Sequence, residues 1–197
     1  MKFSTLILIC SISLCLAIEE PTYQVLQQLG NNMEIRKYGS SKWVSTKADS
    51  TVNNVGSTSM FFSLFNYISG ANNNKQKMEM TAPVLMEYKS KDNTKINKNS
   101  QVSVSMNFYI PSQFKSNTPQ PTANNVYLTD LPELTVAVAR FGGFASVNDY
   151  MTKRDALISA LGSNAQSYDS INMITAGYNS PFTLFFRRNE VWLIKIK

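Results

Sequence analysis

The sequence predicts an α+β fold in which a tandem ββαββ duplication forms a curved antiparallel sheet or distorted β-barrel flanked by two helices. Three observations predict it. Period-2 and period-3.6 apolar patterns follow one another in an order that occurs twice. A proline-bearing stretch, Pro111 to Pro121, separates the two series. The chain has 197 residues, 43% of them hydrophobic and 16% charged, which is ample for one domain with its own core.

In the first series, Met33 to Tyr38 and Lys42 to Lys47 read as strands joined by a turn at Gly39-Ser-Ser41. A helix follows, with Phe61, Leu64, Phe65 and Ile68 on one face, Met60 and Tyr67 at its margin and Gly70 as its stop. Met80 to Tyr88 is the next strand. In the one after it, Val102, Val104, Met106, Phe108 and Ile110 alternate with Ser103, Ser105, Asn107 and Tyr109, the pattern of a half-buried strand. Beyond the linker, Val126 to Leu128 and Leu134 to Phe141 are strands, broken by Gly142-Gly143. Ser146 and Asp149 form a capping box for a helix that runs to about Leu161, with Tyr150, Leu157, Ile158 and Leu161 inside and Gly162 as stop. Met173 to Gly177 and Val191 to Ile196 close the series, and Ile174-Thr-Ala-Gly177 echoes Met80-Thr-Ala-Pro83.

The first residues differ in kind. Lys2 precedes the apolar run Leu6 to Ile12, and the segment closes on Cys15-Leu-Ala17, with small residues suited to cleavage. Residues 1–17 therefore read as a cleaved signal peptide and 18–197 as a single domain. Both cysteines, Cys10 and Cys15, leave with the signal, and the chain has no histidine. A mature chain with neither residue type lacks Ser-His-Asp and Cys-His nucleophile systems, Cys/His zinc sites, and thiolate or imidazole iron ligands. No site for a bound structural or catalytic metal is expected. The signal implies the secretory route, with an extracellular or a vacuolar or lysosomal end, and no integral membrane segment after cleavage.

Without Lys2 the chain keeps 18 basic against 13 acidic residues. Lys89, Lys91, Lys95 and Lys98 fall in an Asn/Ser-rich stretch that reads as a solvated hairpin loop. No aromatic residues interleave there to stack on bases, so no nucleic-acid partner is expected.

The run Lys77-Met-Glu-Met-Thr-Ala-Pro-Val84 combines soft methionine surface with a fixed backbone bend, which suits a groove for a flat apolar ligand, although Met78 and Met80 could equally fill core gaps. Around it stand Glu34-Ile-Arg-Lys-Tyr38 with Lys42-Trp-Val44, Phe65-Asn-Tyr-Ile-Ser-Gly70, and Gly177-Tyr-Asn-Ser-Pro-Phe182 leading to Arg187-Arg-Asn-Glu-Val-Trp-Leu193. In this order they resemble the SOUL family of haem-binding proteins, from about Tyr23 to the last residue. The duplicated pattern is also similar to the effector-binding domain of bacterial multidrug-sensing regulators, which implies a pocket between the halves.

The SOUL resemblance implies a non-enzymatic binder, expected as a monomer, that takes haem or another tetrapyrrole (porphyrin) as a reversible ligand. The ligand would lie in a shallow apolar groove between the first helix and the loop joining the last two strands. Mapped onto this chain, the helix offers Met60, Phe61, Leu64 and Phe65, the floor Met78 and Met80, and the closing loop Tyr178, Pro181 and Phe182. Lys75, Lys77 and Arg187 are the cations placed near propionates. There is no dedicated axial His or Cys, so binding without strong axial ligation is implied, with Met80 and Tyr178 the remaining donors. Thr183 stands in the region where some relatives carry a lysine. Two other readings remain: a divergent binder of another planar or lipidic apolar ligand or of a protein partner, and an enzyme using Glu79, Glu87 or Tyr88 as acid or base.

Overall fold

In the computed structural model, which describes residues 18–30, 32–180 and 182–196, the first half contains β1 (Tyr23–Gly30), β2 (Met33–Tyr38), β3 (Ser41–Thr51), α1 (Ser57–Ile68), β4 (Val84–Ser90) and β5 (Gln101–Tyr109). The second half follows with β6 (Tyr127–Leu131), β7 (Leu134–Phe141), α2 (Val147–Leu161), β8 (Met173–Gly177) and β9 (Asn189–Ile194). All nine strands join one curved antiparallel sheet in the order β1-β2-β7-β9-β8-β4-β5-β3-β6. The signal-peptide reading of residues 1–17 lies outside the described residues. No helix among the described residues is long and apolar enough to cross a membrane.

The strand order has an internal symmetry that the duplication requires. Blocks β4-β5-β3 and β8-β9-β7 meet at the β4–β8 seam, where Met86 faces Thr175. Each half then lends one strand to the other: β2 pairs with β7, and β6 pairs with β3. Of the two forms open to the sequence, the structure is the open sheet. Its edge strand β1 carries two register shifts and its other edge, β6, has five residues, so neither offers the long regular partner that closure into a barrel needs.

Alternation along the strands builds two apolar layers. Val102, Val104, Met106 and Phe108 of β5 pack with Leu64 and Tyr67 of α1 and Leu157 of α2 on the helix-covered face. Tyr38, Trp43, Leu85, Val138 and Trp192 cluster on the opposite face. Each fully buried side chain of this size contributes roughly 1.5–3 kcal/mol relative to exposure. β4 serves both layers: Val84, Met86 and Tyr88 turn to the helices, Leu85 and Glu87 away from them.

The capping box expected for α2 is present: Asp149 N–H donates to Ser146 Oγ at 3.3 Å, and Ser146 N–H donates to Asp149 Oδ2 at 2.8 Å. α1 starts from Gly56, which has no side chain to cap it, so its stability comes from the packing of its inner stripe.

Three departures from the sequence reading have physical causes. β1 is absent from it because an edge strand exposed on both faces has no burial period to read. β4 begins at Val84 rather than Met80, since Pro83 has no N–H to give a ladder. The echo between Met80–Pro83 and Ile174–Gly177 does not mark equivalent positions, for the first precedes its strand and the second lies within β8. The lysine-rich stretch does connect the paired strands β4 and β5, anchored by buried Ile96 and by a 2.7 Å bond from Arg154 Nη1 to the Ile96 carbonyl.

Candidate functional site

Phe61 and Phe65 are four residues apart on α1 and therefore share a face. Their rings stack nearly parallel, 15° apart with centroids at 5.9 Å. Together they wall a groove of about 240 Å³ whose other side is the run Met80-Thr81-Ala82 with Val84, and whose rim is Gly177 at the end of β8 with Tyr178, Asn179 and Ser180 of the β8–β9 loop, with Ile18 at its edge. Thr81 is held in place by donation of its hydroxyl to the Tyr109 carbonyl at 2.7 Å, and Ala82 N–H donates to the Glu19 carbonyl at 2.9 Å. The groove's lining is mainly apolar, with Thr81, Asn179 and Ser180 as polar members, and these bonds tie its Met80–Ala82 side to neighbouring backbone.

Of the residues singled out in the sequence, Phe61, Phe65, Met80 and Tyr178 meet here. Met60, Leu64 and Met78 do not: all three are buried in the core beneath α1. The apolar stripe of the helix is wide enough to serve both the core and the groove, and its periodicity does not say where the sheet stops covering it. Phe182 is 89% exposed and projects from the closing loop without lining the groove. Pro181 lies outside the described residues. Thr183 donates its N–H to the Ser180 carbonyl at 3.0 Å.

The three expected cations are not among the lining residues. Lys75 and Lys77 are exposed in the loop after α1. Buried Asn72 shapes that loop, donating to the Tyr67 and Gln76 carbonyls and accepting from the Asn74 and Gln76 N–H groups. Arg187 is committed to its own loop: Nη1 donates to the Ser180 and Thr183 carbonyls at 2.9 and 2.8 Å, and the guanidinium lies 4.6 Å from the Phe144 ring. Its Nε is buried without a hydrogen-bond partner among the described residues.

Tyr178 has a second role that its sequence position did not reveal. Its hydroxyl donates to Glu190 Oε2 at 2.9 Å, and the Arg188 guanidinium sits 3.6 Å from its ring centre. Burial, with the Glu190 carboxylate next in weight, pushes the phenol far above its ordinary range.

Glu190 is the centre of a buried ionic cluster. It is 0% exposed and accepts from Arg36 Nη1 at 2.9 Å, Arg36 Nη2 at 3.2 Å, Arg188 Nε at 2.9 Å and Trp192 Nε1 at 2.8 Å, besides Tyr178. Burial alone would raise its pKa, but the Arg36 and Arg188 charges and these hydrogen bonds hold the carboxyl below its usual range. Arg188 also binds Glu20 at 2.9 Å, tying the β8–β9 loop to the start of the domain. The available signal for this cluster was one base inside a strand pattern, Arg36 in Glu34-Ile-Arg-Lys-Tyr38, and one acid just before the strand read at Val191, Glu190 in Asn189-Glu-Val-Trp-Leu193. Among the described residues, no group of three or more His, Cys, Asp or Glu side chains is placed to hold a metal ion.

Comparison with known proteins accords with this architecture. The family model described as "SOUL heme-binding protein" matches residues 18–194. Human "Heme-binding protein 2" is 35% identical over 182 residues, covering 91% of this chain and 87% of its own. "Heme-binding protein 1" of Xenopus laevis is 33% identical over 166 residues, covering 84% and 85%. Among solved structures, the EcmrR C-terminal domain shares the fold at a TM-score of 0.56 and 14% identity, over 87% of this chain and 96% of its own. A hydrolase from Listeria innocua does so at 0.51 and 8%, over 83% and 91%. On the family match and the identity of its relatives, the chain belongs to the SOUL heme-binding protein family.

Proposed function

We propose that this protein binds a tetrapyrrole reversibly in the groove between α1 and the β8–β9 loop, holding it by its ring surface rather than by its iron. The observation that carries this reading is the parallel Phe61–Phe65 stack set opposite Met80 and Ala82, a flat apolar slot in a family whose named relatives are haem-binding proteins. The donor set fits such a ligand in one respect and limits it in another. The apolar wall suits a porphyrin face, and the exposed Phe182, Leu184, Phe185 and Phe186 stand in the adjoining loop to extend contact with a ring wider than the groove. For iron, Met80 supplies the one sulfur among the lining residues, while the Tyr178 hydroxyl is already spent on Glu190. Propionates would point to solvent, toward the exposed Lys75 and Lys77 if toward any cation.

That no Lys or Arg stands among the described residues lining the slot favours a second reading, in which it takes another planar or lipidic apolar molecule. For either ligand the route is secretory, supported by the Lys2, Leu6–Ile12 and Ala17 pattern. Absorbance titrations with hemin and with metal-free protoporphyrin test the proposal. Saturable one-to-one binding of both with similar affinity is the expected result. A strong preference for hemin would overturn recognition through the ring, and no binding of either would leave the second reading.

A further inference from the structure

The sheet face opposite the helices carries a second cavity, of about 220 Å³, that the tetrapyrrole reading does not use. Its floor is Trp43, Leu85 and Trp192, all nearly fully buried, and half-buried Leu131 and Ile174 stand among its walls. Leu85 and Glu87 of β4 face it while Val84 faces the groove, so the two sites lie on opposite faces of one strand. Both indoles are fixed: Trp43 Nε1 donates to Ser41 Oγ at 2.9 Å, and Trp192 Nε1 donates into the ionic cluster. The flat walls are therefore formed before any ligand arrives.

One side of the cavity is polar, and its polarity has a direction. Ser45 Oγ, 2.8 Å from Thr129 Oγ1, donates to Asn107 Oδ1 at 2.7 Å. Asn107 Nδ2 donates to Ser105 Oγ at 3.3 Å, and Ser105 Oγ donates to Glu87 Oε2 at 3.3 Å. The chain runs across four strands and ends on a carboxylate whose side chain is 28% exposed. Lys89 also lines the cavity: its ammonium, on a side chain 62% exposed, lies 3.2 Å from Glu87 Oε1, a pair of small worth that an incoming cation can replace and that leaves the Lys89 charge free to move out into solvent.

We propose that this cavity binds a small aromatic amine, one or two fused rings wide, with the rings on Trp43 and Trp192 and the ammonium on Glu87. The volume lies below the roughly 300–1,000 Å³ of sites for drug-sized ligands, which sets the ring number. The carboxylate at the end of a chain of donors sets the sign of charge, favouring a donor and opposing an anion. The proposal stands apart from the tetrapyrrole reading, because a porphyrin is dianionic at its propionates and its groove lies across the sheet.

The chain's two tryptophans both line the cavity, so both indole N–H cross-peaks of the isotope-labelled protein respond to it. The Trp43 N–H, held by Ser41, is the discriminating one, because the Trp192 N–H also senses the Glu190 cluster that reaches Tyr178 in the groove. The probes are naphthylmethylamine, its neutral isostere naphthalenemethanol and its anionic isostere naphthoate. The amine should shift both cross-peaks saturably, the alcohol should bind about tenfold more weakly, and naphthoate should not bind. Glu87→Gln should bring the amine to the affinity of the alcohol and leave the alcohol unchanged. Lys89→Ala, at an exposed position that keeps the test independent of Glu87→Gln folding, should tighten the amine about threefold by removing its competitor. Equal affinity for all three probes, no saturable shift with any, or shifts that follow protein rather than probe concentration, as when a second copy covers this face, would each overturn the proposal.

Discussion

On the helix-covered face, Phe108, Leu64 and Leu157 are buried by apolar packing, whereas the opposite face buries Arg36 and Glu190 beside Trp192 and Tyr38. β2 and β9 supply both faces, Ile35, Val191 and Leu193 to the first and Arg36, Tyr38, Glu190 and Trp192 to the second, so for these strands the difference is one of alternation rather than of segment. Arg36 and Glu190 are sustained in the interior by saturation: the carboxylate accepts from Arg36, Arg188, Tyr178 and Trp192, and Arg36 also donates to Glu34 at 2.6 Å and Tyr38 at 3.1 Å. An apolar layer loses stability in proportion to the volume removed. An ionic layer fails when a single partner leaves a charge uncompensated.

The largest expected effect breaks the apolar side. Phe108→Ala should cost about 4 kcal/mol in urea unfolding, from lost transfer and the cavity left under α1. Glu190→Gln should cost about 3 kcal/mol by leaving Arg36 buried without its counter-charge, and should also free the Tyr178 end of the loop.

The two layers should also separate by pH. Glu190 has its folded pKa below the ordinary value of 4.5, so the stability it contributes is complete above that value and is lost as pH falls through the folded pKa. Urea midpoints of the parent chain measured below about pH 4.5 should drop more steeply than those of Glu190→Gln, while Phe108→Ala should keep the parent slope. An unchanged slope in Glu190→Gln would remove Glu190 as the acid-sensitive group.

Smaller effects concern the groove. Phe65→Ala, at a position already 41% exposed, should cost less than about 1 kcal/mol of stability yet weaken protoporphyrin binding about tenfold. Arg187→Met should change global stability least, by under about 1 kcal/mol, and show instead as faster amide exchange in residues 182–186, beside the Ser180 and Thr183 carbonyls that Arg187 ties together.

What could be read from the chain follows the same division. Val102 to Ile110 and the Ser146–Asp149 box were legible because their physics is local: alternation and a three-residue capping span. The pairing of Arg36 with Glu190 was not, since its partners are 154 residues apart and nothing local marks a strand charge as buried. The groove was legible in part. Helical spacing brought Phe61 and Phe65 together with Met60 and Leu64, and only the position of the sheet assigns the first pair to the slot and the second to the core.

The strand exchange on the outer side of each block bears on how such a chain can arise and be divided. β2 is paired to β7 and β6 to β3, so each half has one strand that takes a hydrogen-bond partner from the other, β2 on the side away from β1 and β6 on its one paired side. A lone second half would leave β6 unpaired and a lone first half would leave β2 with the irregular edge strand β1 alone, so each would find its complement in a second copy, and the single chain has the topology of a strand-swapped homodimer made continuous by its linker. Cleavage between Pro111 and Pro121 should accordingly yield two fragments that are unfolded apart and regain the native fold when mixed.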